Sequence, residues 1–404
     1  MNLGALAVPA FRYYFLGAVF AVNAIWFQRI AVAWIAWEIS GSAAFVGFVA
    51  SLSLAPMLVS GPVFGVLVDR ADILRASYLT NGAMPLCIAA LAALHAADMA
   101  TPFLLSAIAL AIGVIASGHH PVRMSLAPRL VPRARVASVV ALSALNFNVA
   151  RLVAPALAGW VIDRAGVVAA LWVAAALYLP ILSVLHRLTP RAIGKGAGPR
   201  PRFAAAFAEG VAHVWRTPLV RTAVIVTSVF AVAGRGVLEI LPVIADGAFG
   251  RGAPGLGLIS AAAGAGALTA ALAKSLGRGE AGGRIPPAVI LAAAAGLALV
   301  IVLGHTGSWP LALATVAALG FCGTYVGVSL QAAIQAGLSD ELRGRVMSLW
   351  VMLGFGTVAL GALALGAVAE AAGLAVSLTG GGALGLLALV VALVSADRRL
   401  FARR

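Results

Sequence analysis

The sequence predicts an all-α membrane protein with twelve transmembrane helices in two six-helix halves. Three observations carry that prediction: a series of long apolar runs, basic residues that fill every second loop, and a repeat at an offset near 210 residues. Of 404 residues, 62% are hydrophobic and 10% are charged. Soluble domains carry roughly 25% charged residues, so this chain cannot clothe a water-facing surface of its size. The apolar content excludes disorder. Two cysteines are too few for a disulfide scaffold; Cys87 and Cys322 sit inside apolar runs and read as buried free thiols.

A membrane helix needs about 20 mostly apolar residues. Runs between charge clusters give spans at 11–38, 44–68, 74–96, 101–122, 136–162, 166–187, 219–246, 255–276, 285–304, 308–335, 344–369 and 374–396. Strands of a membrane barrel would alternate over about ten residues. These runs are twice as long and do not alternate, so they are helices. The first run follows Arg12 with no small-residue cleavage site after a short core, and is expected to stay as span 1.

The net charge of +15 could suggest nucleic acid, but the basic residues are sorted by loop. One side of the spans holds 23 of the 28 Lys and Arg; the opposite loops hold Arg164 and Arg251; Arg29, Arg151 and Arg235 fall within spans. That asymmetry is the positive-inside rule. It places both termini in the cytoplasm of a multi-pass protein of the cytoplasmic (inner) membrane, and no nucleic-acid partner is expected.

The longest stretch outside the spans, roughly 188–218, is too short for a soluble catalytic domain. Gly194–Pro201 is a Gly/Pro-rich linker, and Phe203–Trp215 spaces apolar residues as an interfacial amphipathic helix does. The stretch lies at mid-chain and divides a half at 1–187 from a half at 219–404. Pro9-Ala-Phe-Arg12 opens span 1 and Pro218-Leu-Val-Arg221 opens span 7, 209 residues on. Arg133-Ala-Arg135-Val-Ala-Ser138 and Arg343-Gly-Arg345-Val-Met-Ser348 open spans 5 and 11, 210 residues apart. Two matches at nearly one offset argue for duplication, a plan shared by many secondary transporters.

Between spans 2 and 3 the chain reads Gly65-Val-Leu-Val-Asp69-Arg70-Ala-Asp72-Ile-Leu-Arg75. A tight turn with a small residue, a carboxylate and arginines can lock helix ends, its carboxylate facing a neighbouring helix N-terminus; it also reads as an ordinary basic loop. This loop resembles the signature of the major facilitator superfamily, G-x-L-A-D-R-x-G-R-R/K. Gly65, Leu67, Asp69, Arg70 and Arg75 fit it, while Asp72 and Ile73 depart from it. The resemblance implies a gating motif of Gly65, Asp69, Arg70 and Arg75 opposite Arg343 and Arg345, with Asp69 near the start of span 11.

Other stretches are similar to the enterobactin- and macrolide-type exporters, the transmembrane secretion effectors. They are Trp26-Phe-Gln28-Arg29 with Trp34, Ser40-Gly41-Ser42, Pro121-Val-Arg123, Leu145 to Pro155, Gly234-Arg235 through Pro242, and Arg343 to Ser348. The likeness runs from about residue 9 to 396. In span 5, Arg151 precedes Ala154-Pro155-Ala-Leu-Ala-Gly159, which resembles the superfamily's antiporter motif with Ala154 in place of a glycine. Pro155 and Gly159 equally fit a kinked, closely packed helix.

Ionisable groups within spans are costly and face a cavity or a partner. At 1.5 Å per residue, Arg29 lies about 26 Å beyond Arg12, Arg151 about 24 Å beyond Arg135, and Glu239 about 27 Å beyond Arg221. Arg235 and Glu239 are spaced i, i+4, which reads either as a self-neutralised pair or as a proton carrier beside a cation. Asp163, Asp246 and Glu38 read as solvated outer ends, and Trp37 as an interface anchor. His119-His120 could suggest a metal pair, but adjacent helical residues point about 100° apart, so a cytoplasmic helix end is expected. Arg151 is expected to brace span 5. By resemblance, spans 1, 4, 7 and 10 line the cavity, which makes Arg29, Arg235, Glu239, Gln28, Trp26, Tyr325, Gln331 and Gln335 its expected walls.

Three arginines against one glutamate favour an acidic or chelating small molecule, such as a siderophore, over a cationic drug. The expected function is export of a small amphiphilic molecule by alternating access in exchange for protons. The alternatives are a broad drug efflux pump and, in another class, a membrane scaffold or sensor. No catalytic set, metal cluster or phosphate loop marks an enzyme. No cofactor beyond the proton gradient is expected, and the partners are the solute and the bilayer, with the chain a monomer.

Overall fold

The computed structural model describes residues 4–58, 72–191, 203–276, 284–336, 338, 340–396 and 400; of 203–207, 340–341 and 343–344 it describes the backbone only. Thirteen α-helices follow one another among these residues. The first half contains α1 (Pro9–Ser40), α2 (Ala43–Leu54), α3 (Ile73–Ala96), α4 (Pro102–Arg129), α5 (Val136–Ala176) and α6 (Leu179–Leu185). Then come α7 (Phe203–Arg216), α8 (Pro218–Phe230), α9 (Gly252–Leu276), α10 (Pro287–His305), α11 (Trp309–Ala336), α12 (Asp340–Ala372) and α13 (Leu374–Val394).

The helix ends follow local chemistry. Proline opens α1, α4, α8 and α10, where its missing N–H costs nothing. Ser42 and Thr101 cap α2 and α4 by accepting from Phe45 N and Leu104 N, and Asp72 caps α3. The apolar run Arg133–Leu185 is 53 residues long, about 80 Å as a straight helix against a hydrocarbon core of about 30 Å. It must turn back, and it does so at Gly166, whose φ of 82° and ψ of 165° are open only to glycine. The expected spans 5 and 6 are therefore the two limbs of α5, the second continuing into α6 past Tyr178.

Expected and observed spans agree within a few residues, with two corrections; the expected end of span 2, at 68, lies outside the described residues. Helix α4 continues seven residues beyond the expected end of span 4, to Arg129, and carries His119, His120 and Arg123 inside the bundle. Residues 219–246 are not one helix: α8 stops at Phe230 and gives way to a π turn at Ala231–Arg235, a 3-10 turn at Gly236–Glu239 and a π turn at Val243–Ala248. Cys87 and Cys322 are free thiols, as expected, but only Cys322 is buried; Cys87 is half-buried.

The sequence repeat reappears in the backbone. Left-handed Gly41 and Gly250 are 209 residues apart, and Gly166 and Gly373, both at positive φ, are 207 apart. Contacts between the halves repeat too. On α2, Gly47 faces Ala362 and Gly366 of α12; on α5, Gly159 faces Ala253 and Gly257 of α9. Gly257 stands 210 residues beyond Gly47, and Gly366 stands 207 beyond Gly159. One helix contact thus occurs twice with its partners exchanged, as two related halves facing each other require.

Small residues let membrane helices approach through their backbones. A Cβ on Gly257 would stand 2.6 Å from Pro155 O and 3.0 Å from Gly159 Cα. Pro155 lacks the N–H that would bond Arg151 O, and Gly264 of α9 lies against that carbonyl. The antiporter-like segment of α5 is therefore a packing face against α9. Helix α7 docks on α12, with Gly210 beside Leu349 and Glu209 paired with Arg345.

Overpacking such a contact costs about 1–3 kcal/mol. Gly257→Val is expected to lower the thermal unfolding midpoint of the purified protein by several degrees. Gly327→Ala, whose added Cβ meets nothing within 4 Å, is expected to leave it unchanged.

Candidate functional site

The broken segment after α8 sets the site. In a continuous α-helix Arg235 and Glu239 would share a face; the π-to-3-10 change falls between them, at Gly236. Gly236 lies against the backbone of Gly361 on α12, where a side chain would not fit. Glu239 is thereby aimed across the bundle at α1. Arg29 Nη2 donates to both Glu239 carboxylate oxygens at 2.7 Å. The Arg29 side chain keeps 36% exposure and that of Glu239 16%, so the pair is partly screened and not sealed in the core. The self-neutralised Arg235–Glu239 pair is thus corrected: the close partner of Glu239 is Arg29, on the other half.

Aromatic rings organise the remaining charge. The Arg29 guanidinium lies 5.1 Å from the Trp26 ring centroid and that of Arg151 lies 5.7 Å from it. Trp26 meets Phe147 edge-on at 5.5 Å, and the Arg123 guanidinium stands 5.8 Å from the Phe147 ring. Arginine over an aromatic face is favourable, more so away from water. Arg151 and Arg235 both lie within electrostatic reach of Arg29 and Glu239. Arg151 is therefore part of the charge cluster. The cluster holds three arginines and one glutamate, and the buried indole N–H of Trp26 beside it has no hydrogen-bond partner among the described residues.

Two more polar links join the halves, both at the end of the bundle that carries few basic residues. Trp37 Nε1 donates to Asp246 Oδ2 at 2.8 Å, while Asp246 Oδ1 accepts from Gly252 N at 3.0 Å. Glu370 Oε2 accepts from Ala43 N at 2.8 Å, placing a carboxylate at the N-terminus of α2, where the helix dipole favours it. Trp37 and Asp246, expected as an interface anchor and a solvated end, instead hold each other across the halves. Among the described residues, the hydrogen bonds between the halves are these links and the Arg29–Glu239 pair.

Other expected residues are placed as follows. Gln28 is buried away from the cluster, its Oε1 accepting from Tyr178 Oη at 3.3 Å, because one residue along a helix turns a side chain by about 100°. Tyr325 stacks on Phe321 at 5.8 Å, with Lys274 Nζ 5.1 Å above its ring. Gln331 is exposed and Gln335 half-buried. His119 is buried, 3.2 Å from Asn81 Oδ1; no group of three metal-binding side chains occurs among the described residues. Glu38 stands 3.7 Å from His95, and Asp163 remains an exposed end residue beside Arg164. Gly65, Asp69 and Arg70 lie outside the described residues, as does the Arg343 side chain. Arg75 is 86% exposed beside Asp72 of its own helix end.

Sequence reasoning missed Glu370, Phe147 and the inward turn of Arg123. Glu370 carried a signal as the single acid between Glu341 and Asp397. The repeat offset carried another: Arg29 and Glu239 are 210 residues apart, and Trp37 and Asp246 are 209 apart.

Residues 2–401 match the family described as transmembrane secretion effector. The chain belongs to that family. It is 27% identical over 362 residues, 85% of each chain, to the multidrug efflux pump Tap of Mycolicibacterium fortuitum. It is 25% identical over 204 residues, 48% of each chain, to Tap of Mycobacterium tuberculosis. Solved structures share the fold at low identity. The nucleoside transporter NupG superposes with a TM-score of 0.71 at 12% identity, covering 98% of this chain and 99% of its own. A bacterial homologue of the human lysosomal transporter Spinster, inward-facing and occupied, gives 0.72 at 13% identity, covering 96% of each. This secretion effector is thus a multi-pass membrane transporter of the major facilitator type; its family and structural neighbours are transporters, not enzymes.

Removing one partner of a buried ion pair strands the other charge, at a cost of about 3–5 kcal/mol when fully desolvated and less here because the pair is partly exposed. Arg29→Glu and Glu239→Arg are each expected to lower the thermal midpoint, and the double exchange to recover most of the loss. Additive losses in the double variant would show that the two side chains do not pair.

Proposed function

We propose that this protein is a proton-coupled exporter of a small amphiphilic molecule bearing negative charge, an acidic or chelating secreted metabolite of the siderophore kind. The cluster of Arg29, Arg151, Arg235 and Glu239 where the halves meet carries the reading. It offers an anionic solute two arginines in excess of the carboxylate, an aromatic wall in Trp26 and a free indole donor. Arginine suits planar acidic groups because its fork donates two hydrogen bonds at once.

In this reading the basic end of the bundle faces the cytoplasm, in the inner membrane, with both termini on that side. The halves 1–187 and 219–404, joined by the 188–218 linker, rock about the cluster in a monomer. The links at Trp37, Glu370 and Arg29 close the outward end. An anion engaging Arg29 competes with Glu239, and a proton arriving on Glu239 removes its claim on Arg29; either event loosens the outward closure. The gating loop around Asp69 and Arg70 would latch the opposite end against Arg343 and Arg345.

A second reading rests on Tap, named a multidrug efflux pump: broad efflux of drugs through the same cavity. Liposomes containing the purified protein, under an imposed pH gradient, separate the two. Gradient-driven movement of an anionic siderophore, lost in Glu239→Gln, is expected. Movement of a lipophilic cation alone would make the protein a drug pump and the charge argument wrong. Transport unaffected by Glu239→Gln would remove Glu239 as the coupling group.

A further inference from the structure

A cavity of about 660 Å³ opens on the outer surface of the first half, and none of the charge-cluster residues lines it. Tyr78, Gly82 and Leu86 of α3 form one wall; Trp172, Leu179 and Leu182, on the second limb of α5 and on α6, form the other. The volume falls within the roughly 300–1,000 Å³ of small-molecule sites, and the lining is almost wholly apolar. Along α3 the cavity runs from Tyr78 to Ala89, about 17 Å, or half of a hydrocarbon core about 30 Å thick. It therefore occupies the depth of one leaflet.

The two walls are antiparallel, so their charged ends coincide. Arg75 lies one helical turn before Tyr78 and Leu79, on the same face of α3, and is 86% exposed. His186 follows Leu182 by four residues; it and Arg187 are exposed, with Arg187 Nε 3.3 Å from His186 Nε2. At the basic end of the bundle the two walls thus run out into exposed basic residues: Arg75, with Asp72 Oδ2 3.9 Å from its Nε, on one side, and His186 and Arg187 on the other.

We propose that this groove binds one phospholipid with an anionic headgroup, its acyl chain lying between α3 and the α5–α6 limb and its phosphate held by Arg75 and Arg187. The dimensions fit a chain from one leaflet, and the cationic mouth sits at headgroup level. In this proposal Arg75, which the signature resemblance assigns to gating, serves the lipid, its side chain being 86% exposed.

Gly82 supplies the test. A Cβ added there meets nothing within 4 Å, so the side chain of Gly82→Leu starts into open space and narrows the groove. The purified full-length protein is expected to retain phosphatidylglycerol over phosphatidylcholine in native mass spectrometry. Gly82→Leu is expected to abolish retention at an unchanged thermal midpoint. Arg75→Gln and Arg187→Gln are each expected to weaken it about fivefold, the worth of one cation near an anionic surface. Equal retention of the two lipids, or retention surviving Gly82→Leu, would overturn the proposal. So would displacement of the lipid by a transported solute, which would make the groove a lateral solute entrance.

Discussion

At membrane depth a carboxylate is costly unless it is paired, and the close cation that Glu239 finds belongs to the other half of the molecule. The rest of the arrangement follows from that pairing. A regular helix would have turned Glu239 toward Arg235 on its own strand of chain. The π and 3-10 turns between Phe230 and Glu239 break that register and direct the carboxylate to Arg29. The break is supported by Gly234 and Gly236, which let the segment press against Phe230 and against Gly361. Helical irregularity at membrane depth is tolerated where neighbouring protein takes up the freed groups.

The position of the pair also has a symmetry meaning. Equivalent positions of two related halves can touch only close to the axis that relates them. Arg29 with Glu239, and Trp37 with Asp246, are such positions, separated by the repeat offset. Opposite chemistry at equivalent sites converts a self-facing contact, which would repel if both carried arginine, into an attractive one. The glycine contacts of α2 with α12 and of α5 with α9 lie on either side and fix how closely the halves approach. A weak, partly exposed ion pair held between close-packed backbones is suited to being broken and remade, since neither state strands a deeply buried charge.

Much of this was legible in the sequence, for identifiable reasons. Helix extents were readable because the bilayer fixes the length of every apolar run, and Gly41, Gly166 and Gly373 mark turns only glycine makes easily. Arg29, Arg151, Arg235 and Glu239 stood out because charge in lipid is expensive. Their pairing was not legible, because spacing on an assumed α-helix misassigns partners once the helix changes pitch. Gln28 failed for the opposite reason: adjacency to Arg29 in sequence puts it on a different face, toward Tyr178. The inward placement of His119 and Arg123 was hidden because basic residues near the expected end of span 4 read as a cytoplasmic helix end, whereas the helix continues to Arg129.

The central claim is that Arg29 and Glu239 hold the halves together at the end of the bundle with few basic residues. Spin labels at Ala44→Cys and Ala248→Cys, with Cys87 and Cys322 replaced by serine, would report the separation of the α1–α2 turn from the 243–250 turn. A single short, narrow distance that lengthens and broadens in Glu239→Gln is the result this account requires. An unchanged distance distribution in Glu239→Gln would contradict it.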